Sequence, residues 1–127
     1  MRPHLLAWQW SDYPGKHRDR VNLLVHIVAV PVFQIAMLVL VYEVAVVGSP
    51  VCASVAAAGI LASIVAQGRG HAREPEVPAP FTGAGDFVTR LIAEQWVTFP
   101  RFVLSGAWYA NLTRAREHRP AVERPQR

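Results

Sequence analysis

Three histidines and a glutamate stand near the two ends of one long apolar stretch: His17 and His26 at its beginning, His71 and Glu74 just past its end. Imidazole nitrogens and a carboxylate, with no cysteine among them, make an N/O donor set suited to Fe(II), Zn or Mn more than to soft-metal or cluster chemistry. His71 and Glu74 are three apart, which puts both on one face of a helical turn. They lie in Gln67-Gly68-Arg69-Gly70-His71-Ala72-Arg73-Glu74-Pro75, where two glycines let the backbone leave a helix tightly and Pro75 stops the turn. His17 and His26 are nine apart, and nine steps of ~100° set them on opposite sides of a straight helix. They can meet one ion only if His17 precedes the helix and folds back, which a turn at Pro14-Gly15 and an N-cap at Asp19 permit. Each residue also has an ordinary reading. His17 among charges reads as a solvated side chain, His26 as a helix histidine bonded to a carbonyl, and His71 with Glu74 as an interfacial pair. His4 and His118 fall in the tails and are left aside.

The element that must bring these ends together is a helical hairpin. From Leu23 to Val47 the chain is almost wholly apolar, ~38 Å as helix, enough for a ~30 Å hydrocarbon core. Pro31 is expected to kink it, and Glu43 lies near its far end, where reaching the opposite interface is cheap. Gly48-Ser49-Pro50 reads as a turn, and Val51 to Ala66 as a second, shorter run of small residues that let helices approach closely. None of the 13 Lys and Arg residues falls between Leu23 and Ala66. The positive-inside rule therefore places both ends of the hairpin, and both termini, on the cytoplasmic face of a bacterial inner membrane or an ER-type membrane. After an extended proline-rich connector, Gly83-Ala84-Gly85-Asp86 starts a helix with Asp86, Arg90 and Glu94 as a polar stripe. Pro100 is expected to break that helix from a second one ending near Leu112. The fold class is thus all-α: an integral membrane protein with a central transmembrane hairpin and a C-terminal pair of short or half-membrane helices. Residues 1–117 form one domain, and 118–127 a basic, disordered tail able to touch anionic lipid.

Net charge is +4, yet the basic residues are spread over loops and tail without a recognition helix or RNA-binding motif, so no nucleic-acid partner is expected. The single cysteine, Cys52, excludes an intramolecular disulfide and a cysteine-rich metal site. The apolar run Leu5-Leu6-Ala7-Trp8 is too short for a signal peptide. No H-E-x-x-H motif, paired E-x-x-H or eight-histidine set is present, so a single metal is the most the residues support.

The arrangement of Tyr13, His17, Asn22, His26 and Pro31, followed after a hydrophobic hairpin by Gln67-x-x-Gly70-His71 and an acidic residue before a proline, resembles the 2-hydroxy fatty acid dioxygenase family of the fungal endoplasmic reticulum. That family includes bacterial membrane domains of unknown function. The resemblance runs over about residues 8 to 110. It implies an Fe(II)-dependent dioxygenase that shortens 2-hydroxy fatty acids by one carbon in alpha-oxidation, with His17, His26 and His71 as iron ligands and Glu74 as a less regularly spaced fourth. Phe99-Pro100-Arg101-Phe102 is similar to the family's last apolar motif, whereas Ser105-Gly106 departs from the bulkier or acidic residues expected there. The partners implied are a long-chain 2-hydroxy fatty acid, O2 and membrane lipid. The alkyl chain would lie among the hairpin's apolar residues, with Arg69, Arg73 and Asn22 as candidate substrate-binding residues. The alternative is a non-catalytic membrane protein with a structural Zn or a lipid-binding role.

Overall fold

The computed structural model describes residues 2–117; the tail expected at 118–127, with His118, lies outside the described residues. Among them every regular element is helical. Helix α1 (Leu5–Asp12) leads into a 3-10 turn (Tyr13–Lys16), and α2 (Arg20–Tyr42) continues through a π-helical turn (Glu43–Val47). Helix α3 (Pro50–His71) returns. Then α4 (Ala84–Ala93), a second π-helical turn (Glu94–Thr98), α5 (Phe99–Leu104) and α6 (Ala107–Glu117) complete the chain.

The α2–α3 hairpin is the scaffold. Asp19 caps α2 by accepting the Asn22 N–H at 3.0 Å, and α2 stays helical through Pro31. At the far end Gly48 takes a left-handed φ of 74°, a conformation glycine adopts without steric cost, and Ser49 caps α3. The two helices lie close where side chains are small. A Cβ on Gly59 would stand 3.4 Å from the Ala36 Cβ, and the Ser63 hydroxyl donates to the Ala29 carbonyl at 2.7 Å. Both helices are long and apolar enough to cross a membrane, and only 22 % and 17 % of their most apolar windows are buried, unlike helices at the centre of a protein core.

Two boundaries differ from the sequence expectation. Helix α3 does not end at its glycines. Gly68 and Gly70 keep helical geometry, and the 22-residue helix reaches His71, ~33 Å in all. Gly70 is required by contact instead, since a Cβ there would collide with the Asn22 side chain on α2. Nor does Pro100 break the C-terminal helix. The π-helical turn just before it widens the backbone and makes room for the proline ring, so helical structure runs from Ala84 to Leu104 and the bend falls at Ser105-Gly106, where Gly106 has φ 81°.

The remaining elements gather around one end of the hairpin. Tyr13, Leu23, Val30, Phe99 and Phe102 form the buried apolar core there, with Trp10, Ile27 and Trp108 packed against it. Polar stitches fix the assembly: Gln9 donates to the Arg90 carbonyl at 3.0 Å and accepts from the Thr98 hydroxyl, tying α1 to α4 and the second π turn. Asn111, in a glycosylation-like Asn-Leu-Thr triplet, is buried and donates to the carbonyls of Pro14 and His17, tying α6 to the 3-10 turn.

Candidate metal centre

Four side chains from four segments converge at this end. His17 follows the 3-10 turn, His26 lies two turns into α2, His71 is the last residue of α3, and Glu94 opens the second π turn. Their ligand atoms all lie within 4.8 Å of one another, and the Glu94 Oε1 atom stands 3.6, 3.5 and 3.7 Å from the Nε2 atoms of His17, His26 and His71. The three imidazole centroids are 4.7–4.8 Å apart with steeply inclined planes, so the rings meet through their edges.

Hydrogen bonds fix which nitrogen faces inward. His17 Nδ1 lies 2.9 Å from the Tyr13 carbonyl and His26 Nδ1 2.9 Å from the Asn22 carbonyl. A carbonyl only accepts, so each Nδ1 carries the proton and each Nε2 presents a lone pair to the centre. Those Nε2 atoms are buried and have no hydrogen-bond partner. Separations of 3.5–3.7 Å exceed a hydrogen bond but are close to the ~3.3 Å edge of a tetrahedron with 2.0–2.1 Å bonds. The lone pairs of His17 and His26 and the Glu94 carboxylate, crowded together without a proton from those two rings between them, repel, and a cation among them removes the repulsion. The donor set fits one divalent ion of the Fe(II), Zn or Mn kind.

Protonation is in keeping with that. Burial lowers the pKa of His17, partly offset by Glu94, so the ring is neutral near pH 7. Burial raises that of Glu94, but His17, His26 and His71 outweigh it where an imidazole turns a proton toward the carboxylate, and the carboxyl is held well below its usual range; with neutral rings a cation at the centre would take over that pull. Tyr13, which donates to Glu94 Oε1 at 2.9 Å, is pushed well above its usual value by burial and by that carboxylate, and stays a phenol.

Glu74 is elsewhere. Both of its oxygens accept from the backbone N–H groups of Arg18 and Asp19 at 3.0–3.1 Å, and Oε1 also accepts from the Asn22 amide at 2.7 Å. Free amides at the start of α2, with the helix dipole, draw the carboxylate to that end and away from the imidazoles. Asn22 is thereby committed to Glu74 and Gly70 rather than to a cavity. Arg69 is exposed, and Arg73 pairs with Asp19 at 3.2 Å on the surface. Glu94 is the candidate ligand that sequence reasoning missed. Its signal was the Asp86, Arg90, Glu94 stripe: Arg90 pairs with Asp86 at 3.5 Å, which leaves the third member without a basic partner.

A cavity of about 230 Å³ opens beside the cluster, reached by His17, His71 and Glu94 and walled by Trp8, Ile64, Phe87 and Leu91, with Phe81 of the connector across it. The cations on its wall are Lys16, paired with Glu76 at 3.1 Å, and Arg90. The Arg90 guanidinium is occupied by the Ala79 and Pro80 carbonyls and by Asp86, and lies over the Phe81 ring. Comparison with family models, curated proteins and solved structures finds no match for the chain.

Proposed function

We propose that this chain is an Fe(II)-dependent dioxygenase that shortens long-chain 2-hydroxy fatty acids by one carbon, with the α2–α3 hairpin embedded in a membrane and the His/Glu end at its cytoplasmic face. The observation that carries the reading is the convergence of His17, His26, His71 and Glu94 beside an apolar cavity. The choice of reaction rests on the sequence resemblance. Iron held by these four side chains would supply the redox chemistry with O2, and a six-coordinate ion would keep two positions open, one for an oxygen of the 2-hydroxy acid and one for O2.

The chain's own residues would do the rest. Trp8, Ile64, Phe87 and Leu91 would take the alkyl chain and exclude water, so the chain would lie between α3 and α4 rather than along the hairpin's outer faces. Lys16, next to His17, would balance the acid's charge, a role that neither Arg69 nor Arg73 can fill from the surface. A site at the lipid boundary lets the head stay near water without extracting the chain at a cost of ~0.8 kcal/mol per CH2. The charge distribution supports the topology: Arg18, Arg20, Arg69 and Arg73 all flank the site end of the hairpin.

A structural Zn is the second reading. It is favoured by two features: donor separations near those of a closed tetrahedral set, and four donors that come from four segments and would be clamped together. Anaerobic purification, metal analysis and O2 electrode measurements with 2-hydroxypalmitate separate the two. The expected result is iron in near-stoichiometric amount and O2 uptake matched by the one-carbon-shorter acid, with palmitate a poor substrate. Folded, iron-loaded protein that takes up no O2 with 2-hydroxypalmitate would leave the clamp as the better account.

A further inference from the structure

We infer that Tyr13 is the positioning residue of the metal centre, setting two of its four ligands at once. The inference rests on the metal reading above and is independent of which reaction the metal supports. Three contacts from this one residue carry it. Its carbonyl accepts the His17 Nδ1 proton at 2.9 Å, which selects the tautomer. Its ring stacks on the His17 imidazole, with centroids 3.8 Å apart and planes 21° from parallel, which fixes the tilt. Its hydroxyl donates to Glu94 Oε1 at 2.9 Å, across 81 residues of sequence.

The third contact separates a positioning role from packing. Oε1 is the carboxylate atom that faces all three Nε2 atoms, so the phenol holds the oxygen that would ligate. Glu94 sits in a π-helical turn, and among the described hydrogen bonds the Tyr13 hydroxyl is the donor to its side chain. Tyr13 itself cannot swing away. It is 4 % exposed and meets Phe102 edge-on, with centroids 5.2 Å apart. Groups that orient metal ligands from behind change affinity without touching the ion.

Tyr13→Phe isolates the hydroxyl, because it keeps the ring stack and the carbonyl. Metal-free full-length protein in detergent is titrated with Co(II) against a competing chelator, and the visible absorption of the bound ion is recorded. The expected result is a ten- to hundredfold weaker Kd with a changed band shape, since a freed carboxylate alters the ligand field. Ser11→Ala, on the same segment but bonded only to the Trp8 carbonyl, serves as the control and is expected to match the wild type. Tyr13→Phe that binds Co(II) within about twofold of wild type, with the same spectrum, overturns the inference. A wild-type protein that takes up no Co(II) overturns the metal reading beneath it, a result distinguishable from the first.

Discussion

The two ends of the same hairpin are built on opposite principles. At the site end, His17, Asn22, His26, Gln67, Glu74 and Gln95 are all 7 % exposed or less, and helices α1, α4, α5 and α6 surround them. At the turn end, Val44, Val51 and Val55 are 73 %, 73 % and 68 % exposed, and among the described residues no other element covers them. Polar side chains concentrate in these helices where protein covers the backbone and can supply partners, and valine and alanine predominate toward the turn, with Ser54 bonding back to the Pro50 carbonyl of its own helix. The boundary lies near Gln34 and Ser63. Gln34 donates to the Gln95 carbonyl, Ser63 to the Ala29 carbonyl, and Gln67 and Gln95 exchange reciprocal amide bonds at 3.1 and 2.7 Å. The hairpin is a site at one end and an uncovered apolar rod at the other.

The sharpest break in that comparison comes from the two carboxylates of the site end. Glu94→Ala and His26→Ala are each expected to lose stoichiometric metal, measured by inductively coupled plasma analysis after gel filtration, because each removes a donor from one shared site. Glu74→Ala should retain the metal but lower unfolding free energy by roughly 3 kcal/mol in detergent, since it strands the amides of Arg18, Asp19 and Asn22. If Glu74→Ala empties the site while Glu94→Ala leaves it filled, the assignment of the two acids is reversed.

That exchange of acids also measures what the sequence could reveal. The hairpin was legible because hydrophobicity, the Gly48-Ser49-Pro50 turn and the Asp19 cap are local signals. The three histidines were legible as a group because a hairpin returns its ends to one place. Nearness in sequence to His71 points to Glu74, but sequence distance ignores the free amides of α2 that capture it. Glu94 lies 23 positions beyond His71 on another helix, and its place on the Asp86, Arg90, Glu94 stripe does not by itself say that this helix packs against the ends of the hairpin. The break at Ser105-Gly106 rather than Pro100 was hidden by the second π-helical turn.

A smaller effect concerns Asp86, on the outer wall of the site end. Burial raises its pKa, but the Thr82 N–H, Arg2 and Arg90 together outweigh this and leave it below the ordinary carboxylate value. A depressed folded pKa means that its contribution is fully present above an unfolded value near ~3.9 and is lost as pH falls through the lower folded value. Asp86→Asn should therefore be less stable than wild type at pH 6, with the gap narrowing below about pH 4 in urea titrations followed by circular dichroism. A gap that stays constant down to pH 2.5 would mean that the carboxylate's ionisation is not what Arg2 and Arg90 stabilise.

The least effect is expected at the turn end, and its smallness is informative. Val51 and Val55 lie on an open groove with Val32, Ile35 and Val39, and among the described residues no other element packs there. If lipid is what meets that groove, shortening Val51 to Ala exchanges one apolar contact with acyl chains for another and leaves no cavity inside the protein. The change in stability should then stay within about 0.5 kcal/mol, and Co(II) affinity at the far end should not move. If a second copy of the chain covers the groove, the same substitution removes a packed side chain from an interface. Self-association measured by energy transfer between labelled copies in liposomes would weaken. Val51→Ala with unchanged energy transfer and unchanged stability keeps the rod a lipid-facing element, whereas a loss of 1 kcal/mol or more, on the scale of a buried large-to-small change, would show that the uncovered end has a partner after all.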